Sequence, residues 1–163
     1  MKQLLIILAV LLSGCATQAE QPQTADQPKE ERWQAIAKEF PTGKVNKNIF
    51  TIAIPRSDLE VGHIDLGEIP VDAGLSSSIY FFPCPCGKMN VIGQLTVVDY
   101  EVNDVIDELR EARIKIAAVS PMFIGERPKL MLIRFQGEGD GGKLAGAIKK
   151  ALGWMGEDRN TVK

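Results

Sequence analysis

The chain has 163 residues, with 19 Lys plus Arg against 21 Asp plus Glu, one His and three Cys. A net charge of -2 supplies no cationic field for a phosphate backbone, which excludes a charge-driven nucleic-acid binder, and one imidazole excludes any mechanism that needs two. Ten of the apolar residues fall in the first fourteen positions; without them the apolar content drops from 45% to roughly 42%, still sufficient for the core of one ordinary domain.

The first predicted element is an address. Residues 1–14 comprise Met1-Lys2-Gln3, an apolar run from Leu4 to Leu12, and Ser13-Gly14, which is the charged start, short hydrophobic stretch and small-residue cleavage site of a secretory signal peptide. That run is too short to cross the roughly 30 Å of membrane hydrocarbon as a permanent helix. Leu12-Ser13-Gly14-Cys15 resembles the bacterial lipobox, which implies a diacylglyceryl group on the Cys15 thiol, cleavage before it and a palmitate-type acyl chain on the new amino terminus. Each buried methylene contributes about 0.8 kcal/mol, so two or three chains hold a protein on a membrane that one chain would only visit. The next residue is Ala16 rather than Asp; in a Gram-negative host, enteric-type sorting would place such a lipoprotein on the periplasmic face of the outer membrane. Residues 15–29 are the lipidated Cys followed by a polar, Pro-punctuated stretch too poor in apolar groups to order itself. It forms a tether spanning on the order of 20 Å.

Residues 30–153 read as one α+β domain, followed by a tail at 154–163. Trp33, Ile36, Ala37 and Phe40 recur at helical spacing, and Pro41 with Gly43 ends that helix. From Asn48 to Pro55, Phe50, Ile52 and Ile54 share one face of a strand. A short strand is expected near His63 to Leu66 within a Gly- and Asp-rich segment. Ser78 to Phe82 and Met89 to Val98 form a hairpin around Pro83-Cys84-Pro85-Cys86-Gly87. Val102, Val105, Ile106 and Leu109 make an i, i+3, i+4, i+7 stripe with Arg110 and Arg113 late, as an amphipathic helix and its dipole prefer. Strands at Ile114 to Val119 and Lys129 to Phe135 follow, and a closing helix carries Leu144, Ala145, Ile148, Ala151 and Leu152 behind an Asp140 cap. The order β-α-β-β-α from Met89 predicts a ferredoxin-like split βαβ sandwich with additional N-terminal strands and a helix, residues 48–54 supplying the missing edge strand.

Trp33-x-x-Ile36-Ala37, Ile54-Pro55-Arg56-Ser57-Asp58-Leu59, Gly74-Leu75-x-Ser77, Glu101-Val102, Glu126-Arg127-Pro128, Phe135-x-Gly137-x-Gly139 and Leu144-Ala145 occur in that order. With this spacing, residues 30–153 resemble the LppY/LpqO family of bacterial lipoproteins. The resemblance implies a lipid anchor and no known catalytic activity. Members typically carry a His-Asn-His segment where this chain has Ser120-Pro121-Met122; a metal site built on those imidazoles would here be lost or have changed ligands.

Four constellations carry chemistry. Gly137-Glu138-Gly139-Asp140-Gly141-Gly142 satisfies G-x-G-x-x-G, but its two carboxylates lie where phosphates would sit, which favours a strand-to-helix turn capped by Asp140. His63-Ile64-Asp65 sits among Asp58, Glu60, Glu68 and Asp72 and is half of a hard-metal site or a solvated acidic loop. Ser76-Ser77-Ser78 with His63 lacks a nucleophile elbow. Cys84-Pro85-Cys86 is the most suggestive: in an oxidising envelope it forms a small disulfide, holds a soft metal such as Cu(I), or is a structural pair at a hairpin tip. Met89 and Met122 are the thioether partners such a Cu(I) site would recruit. With no acid, base and nucleophile set, the pattern argues against an enzyme. The expectation is a membrane-anchored binding module for an envelope protein or small molecule, with a Cu(I) or thiol-redox protein using Cys84 and Cys86 as the rival.

Overall fold

The apolar stripe of the central helix needs a sheet to cover, and the strand order around it decides the architecture. The computed structural model describes residues 31–156; the expected signal peptide, Cys15 and its tether, and the last seven residues lie outside them. In chain order the elements are α1 (Glu31–Glu39), β1 (Lys44–Asn46), β2 (Ile49–Pro55), β3 (Val61–His63), β4 (Gly67–Ile69), β5 (Ser76–Pro83) and β6 (Met89–Val98). They continue with α2 (Val102–Glu111), β7 (Lys115–Pro121), β8 (Glu126–Arg127), β9 (Leu130–Gly139) and α3 (Gly141–Leu152).

Six strands form an antiparallel sheet in the order β1-β2-β5-β6-β9-β7, and three form a small one, β4-β3-β8. Because β6 and β7 both run antiparallel to β9 between them, β6-α2-β7 is a split βαβ unit. The fold is α+β in one domain, as expected. The edge position is corrected: β5, which precedes the unit in sequence, takes the place beside β6, and residues 48–54 lie one strand farther out. A hairpin pairs with its own neighbour at small entropic cost, which is why β5 occupies that place. Lys47 and Asn48 turn β1 into β2 with φ of 47° and 64°, the left-handed pair a two-residue hairpin loop requires. The strand expected at residues 63–66 is also corrected, since His63 closes β3 and residues 64–66 are the turn into β4.

Strand alternation sends Phe50, Ile79, Phe81, Val91, Leu95, Ile133 and Phe135 to the face covered by the three helices. There they meet Trp33 and Ile36 of α1, Val105 and Leu109 of α2, and Leu144 and Ile148 of α3 in the larger core. Gly93 lies in this layer because a Cβ there would run into the Phe135 ring. Among the described residues the other face is covered at one end only, where Val98 and Leu130 pack with Leu75, Val61 and Ile69 into a second, smaller core. The remainder of that face, including Tyr80, Ile92 and Arg134, is open to solvent.

Candidate functional site

Main-chain register places the two ends of β6 in different surroundings. At its start, the β5–β6 hairpin closes with Pro83 opposite Met89, Cys84 N–H donating to Lys88 O at 2.8 Å and Gly87 N–H donating to Cys84 O at 3.1 Å. Gly87 has φ +83°, a conformation side chains resist. Cys84 and Cys86 form a disulfide across this tip, with Cα atoms 5.1 Å apart. The Cys86 amide donates to Cys84 Sγ at 3.1 Å. Because β9 pairs with β6, Glu138 lies opposite Asn90 and its own carboxylate reaches the same tip. Its Oε2 is 3.9 Å from Cys84 Sγ and its Oε1 accepts from Lys88 Nζ at 3.0 Å. Donor atoms of Cys84, Cys86 and Glu138 all lie within 4.8 Å of one another, a set that can hold a metal ion once the thiols are free.

The expected thioethers are not part of this set. Met89 points into the helix-side core over Gly141 and beside Ile36. Met122 packs against the smaller core, its neighbour Pro121 paired with Met131 and so level with Val97. Eight residue steps of β6 separate that level from Met89, about 26 Å at the usual rise. Among the described residues, His63 and the surrounding acids form no group of three converging donors. His63 Nδ1 instead accepts from the amides of Asp65 and Leu66, at 3.0 and 3.2 Å. Ser77 Oγ is spent accepting from Thr96 N at 3.0 Å. Asp140 caps α3 as expected, accepting from Lys143 N at 2.9 Å, so the amide that would meet a phosphate is taken.

The far end of β6 opens on a cleft of about 1050 Å³, large enough for a small ligand. Its walls come from the end of β3 and the turn after it (Gly62, His63, Ile64), the end of β6 and the turn after it (Val98, Asp99, Tyr100), Pro121 and residues 123–129. Ile64 and Ile124 stand 81% and 90% exposed at its mouth and give it an apolar edge. Arg127 and Lys129 are exposed beside them and form no ion pair among the described residues. Glu126 is buried, and its Oε1 accepts from Leu130 N at 3.1 Å, bracing the loop that carries the cis Arg127–Pro128 peptide.

Behind the cleft floor lies an ion cluster that sequence reasoning did not assign. Arg56 is 2% exposed and Glu101 0%. Arg56 donates to Glu101 Oε2 at 2.9 Å and Oε1 at 3.0 Å, to Asp58 at 2.8 and 2.9 Å, and to Thr96 O at 2.8 Å, satisfying all five guanidinium N–H groups. Glu101 also accepts from Val98 N at 2.7 Å and Gly156 N at 2.8 Å, which fixes the Val98–Glu101 turn under the cleft. Burial alone would lower the Arg56 pKa; hydrogen bonds to Asp58 and Glu101 outweigh it and raise it. Burial likewise pushes Asp58 up, but the Arg56 hydrogen bond and charge hold it below the usual carboxylate value. Arg56, Asp58, Glu101 and Glu126-Arg127 all belong to the motif pieces quoted above, and that shared membership was the one sequence signal pointing here.

Fold and site together define an α+β module with a disulfide-bearing hairpin tip at one end of its central strand and a braced cleft at the other. The family described as Domain of Unknown Function (DUF1259) matches residues 34–153, and the chain belongs to it. No curated protein and no solved structure matches the chain.

Proposed function

We propose that this protein is a lipid-anchored envelope protein of the LppY/LpqO type, tethered through Cys15, whose domain is a non-catalytic binding module. The observation that carries the reading is the cleft beside Val98: apolar walls from Ile64, Phe123 and Ile124, with Arg127 and Lys129 exposed at its rim and in no ion pair among the described residues. Apolar walls with a few fixed charges suit a small ligand with an apolar body and an anionic group. Anilinonaphthalene sulfonate, an aromatic anion, is a probe of that chemistry. The folded chain should bind it with enhanced fluorescence, and Arg127→Ala combined with Ile124→Ser should weaken binding by at least about tenfold, equivalent to 1.4 kcal/mol. Unchanged binding in that variant would remove the cleft from consideration. Acylation is tested separately, by mass spectrometry of the mature N-terminus, which should begin at a lipid-modified Cys15.

A second reading is favoured by the disulfide at the hairpin tip. It makes Cys84 and Cys86 a thiol-redox pair that, once reduced, holds a soft metal, Cu(I) being the ion expected for two thiolates. Loss of Cu(I) binding in the reduced chain carrying Cys84→Ser and Cys86→Ser tests it.

A further inference from the structure

We infer that Cys84, Cys86 and Glu138 form a redox-gated site for a zinc-type divalent ion, closed as the disulfide and opened by reduction. This rests on the thiol-redox part of the second reading above, and the third donor changes the expected ion from Cu(I) to a zinc-type one. The third donor is supplied by strand register, since Glu138 opposite Asn90 has Oε2 3.9 Å from Cys84 Sγ. A disulfide sulfur carries no proton, so that approach is a bare contact in the oxidised chain and becomes available for bonding after reduction. Two thiolates and a carboxylate oxygen, with a fourth position left to water, match the tetrahedral donor set of Zn²⁺. An oxygen donor adds little for Cu(I), and the thioethers that would favour Cu(I) lie in the two cores.

Opening the disulfide leaves the loop in place. The bond spans two residues in sequence, while the hairpin is closed independently by the Pro83–Met89 pairing and by the backbone bonds of Cys84 with Lys88 and Gly87. Cys86 is exposed, so a partner thiol can reach it. Reduction requires an external dithiol, whose thiolate attacks one protein sulfur, releasing the other as a thiol and forming a mixed disulfide. Its second sulfur then attacks the dithiol sulfur of that mixed disulfide, releasing the remaining protein thiol as the dithiol departs as its own disulfide. Two electrons and two protons pass to Cys84 and Cys86. Zn²⁺ then displaces the two thiol protons to solvent. Two thiolates and one carboxylate leave the occupied site one negative charge in excess, and Lys88, 3.0 Å from Glu138 Oε1, neutralises it.

The test uses the full chain carrying Cys15→Ser, which leaves Cys84 and Cys86 as its two cysteines. Oxidised and anaerobically dithiol-reduced samples are titrated with Zn²⁺ against a chromophoric chelator, and with Co²⁺ to read sulfur-to-metal charge transfer. Reduced chain should bind one equivalent with a thiolate–cobalt band and oxidised chain none. Glu138→Gln should weaken Zn²⁺ by at least about tenfold while leaving Cu(I) affinity unchanged, and Met122→Leu should alter neither. Equal Zn²⁺ binding in both redox states, or full affinity in Glu138→Gln, overturns the inference. If the dithiol leaves the disulfide intact, the redox reading beneath it falls as well; if it opens the disulfide and Zn²⁺ still does not bind, only the zinc site falls.

Discussion

Strand β6 ends in two kinds of charged cluster. At Val98, Arg56 and Glu101 are sealed between the main sheet, the turn that opens α2 and the chain near Gly156, with every guanidinium donor matched. At Met89, Lys88 and Glu138 pair in the open, with side chains 59% and 49% exposed, next to a disulfide on a hairpin tip. The difference follows from what covers the sheet. Where the small β4-β3-β8 sheet closes the second face, polar groups survive only as a fully satisfied network and act as a brace. Where that face is bare, charged and sulfur groups keep access to solvent and partners, and little of the fold depends on them.

This contrast makes the buried end the place where substitution does most damage. Glu101→Ala strands a buried guanidinium with Asp58 as its remaining carboxylate and should cost about 3–5 kcal/mol, read from the urea midpoint. It should also abolish probe binding in the cleft, because the turn beneath it loses the Val98 N–H bond. A loss under about 1 kcal/mol would break the comparison. At the exposed end, Cys84→Ser with Cys86→Ser should cost no more than about 2 kcal/mol, since the loop it closes is three residues long. A larger loss would make the tip a structural staple.

The smallest effect sharpens the comparison through pH. The folded pKa of Asp58 lies below its ordinary value of 3.8, so its contribution is complete above that value and fades as pH falls through the folded one. Asp58 is partly exposed, which keeps the contribution below about 1 kcal/mol. Melting curves of the Asp58→Asn variant and the parent should therefore differ at neutral pH and converge at strongly acid pH. A gap that stays constant would mean that charge on Asp58 is irrelevant to the cluster.

Much of the framework was legible because it is written locally. The stripe from Val102 to Leu109 repeats at the helical period, Asp140 stands three residues before the amide it caps, and Phe50, Ile52 and Ile54 alternate at the strand period. The short strands β3, β4 and β8 were not legible, since two or three residues set no period. Nor was β1, whose turn uses Lys47 and Asn48 in place of a glycine. The site suffered most. Met89 and Met122 were chosen for their chemistry, but the side on which each falls depends on the register of β6 and on the cover over β7. Glu138, the donor that does reach Cys84, was read as an obstacle to phosphate rather than as a ligand.

Periodicity, capping chemistry and turn residues act over a few positions, and these local rules determined the α+β class, the split βαβ core and the placing of Cys84 and Cys86 at a hairpin tip. Tertiary structure decided the neighbours. It set β5 beside β6, brought Arg56 to Glu101 across 45 positions, brought Glu138 to Cys84 across 54, and left a cleft where the small sheet meets the loop after β7. The physical reason is that strand order and register are fixed by burial and loop closure over the whole domain, so no single segment carries a record of which side chains it will face.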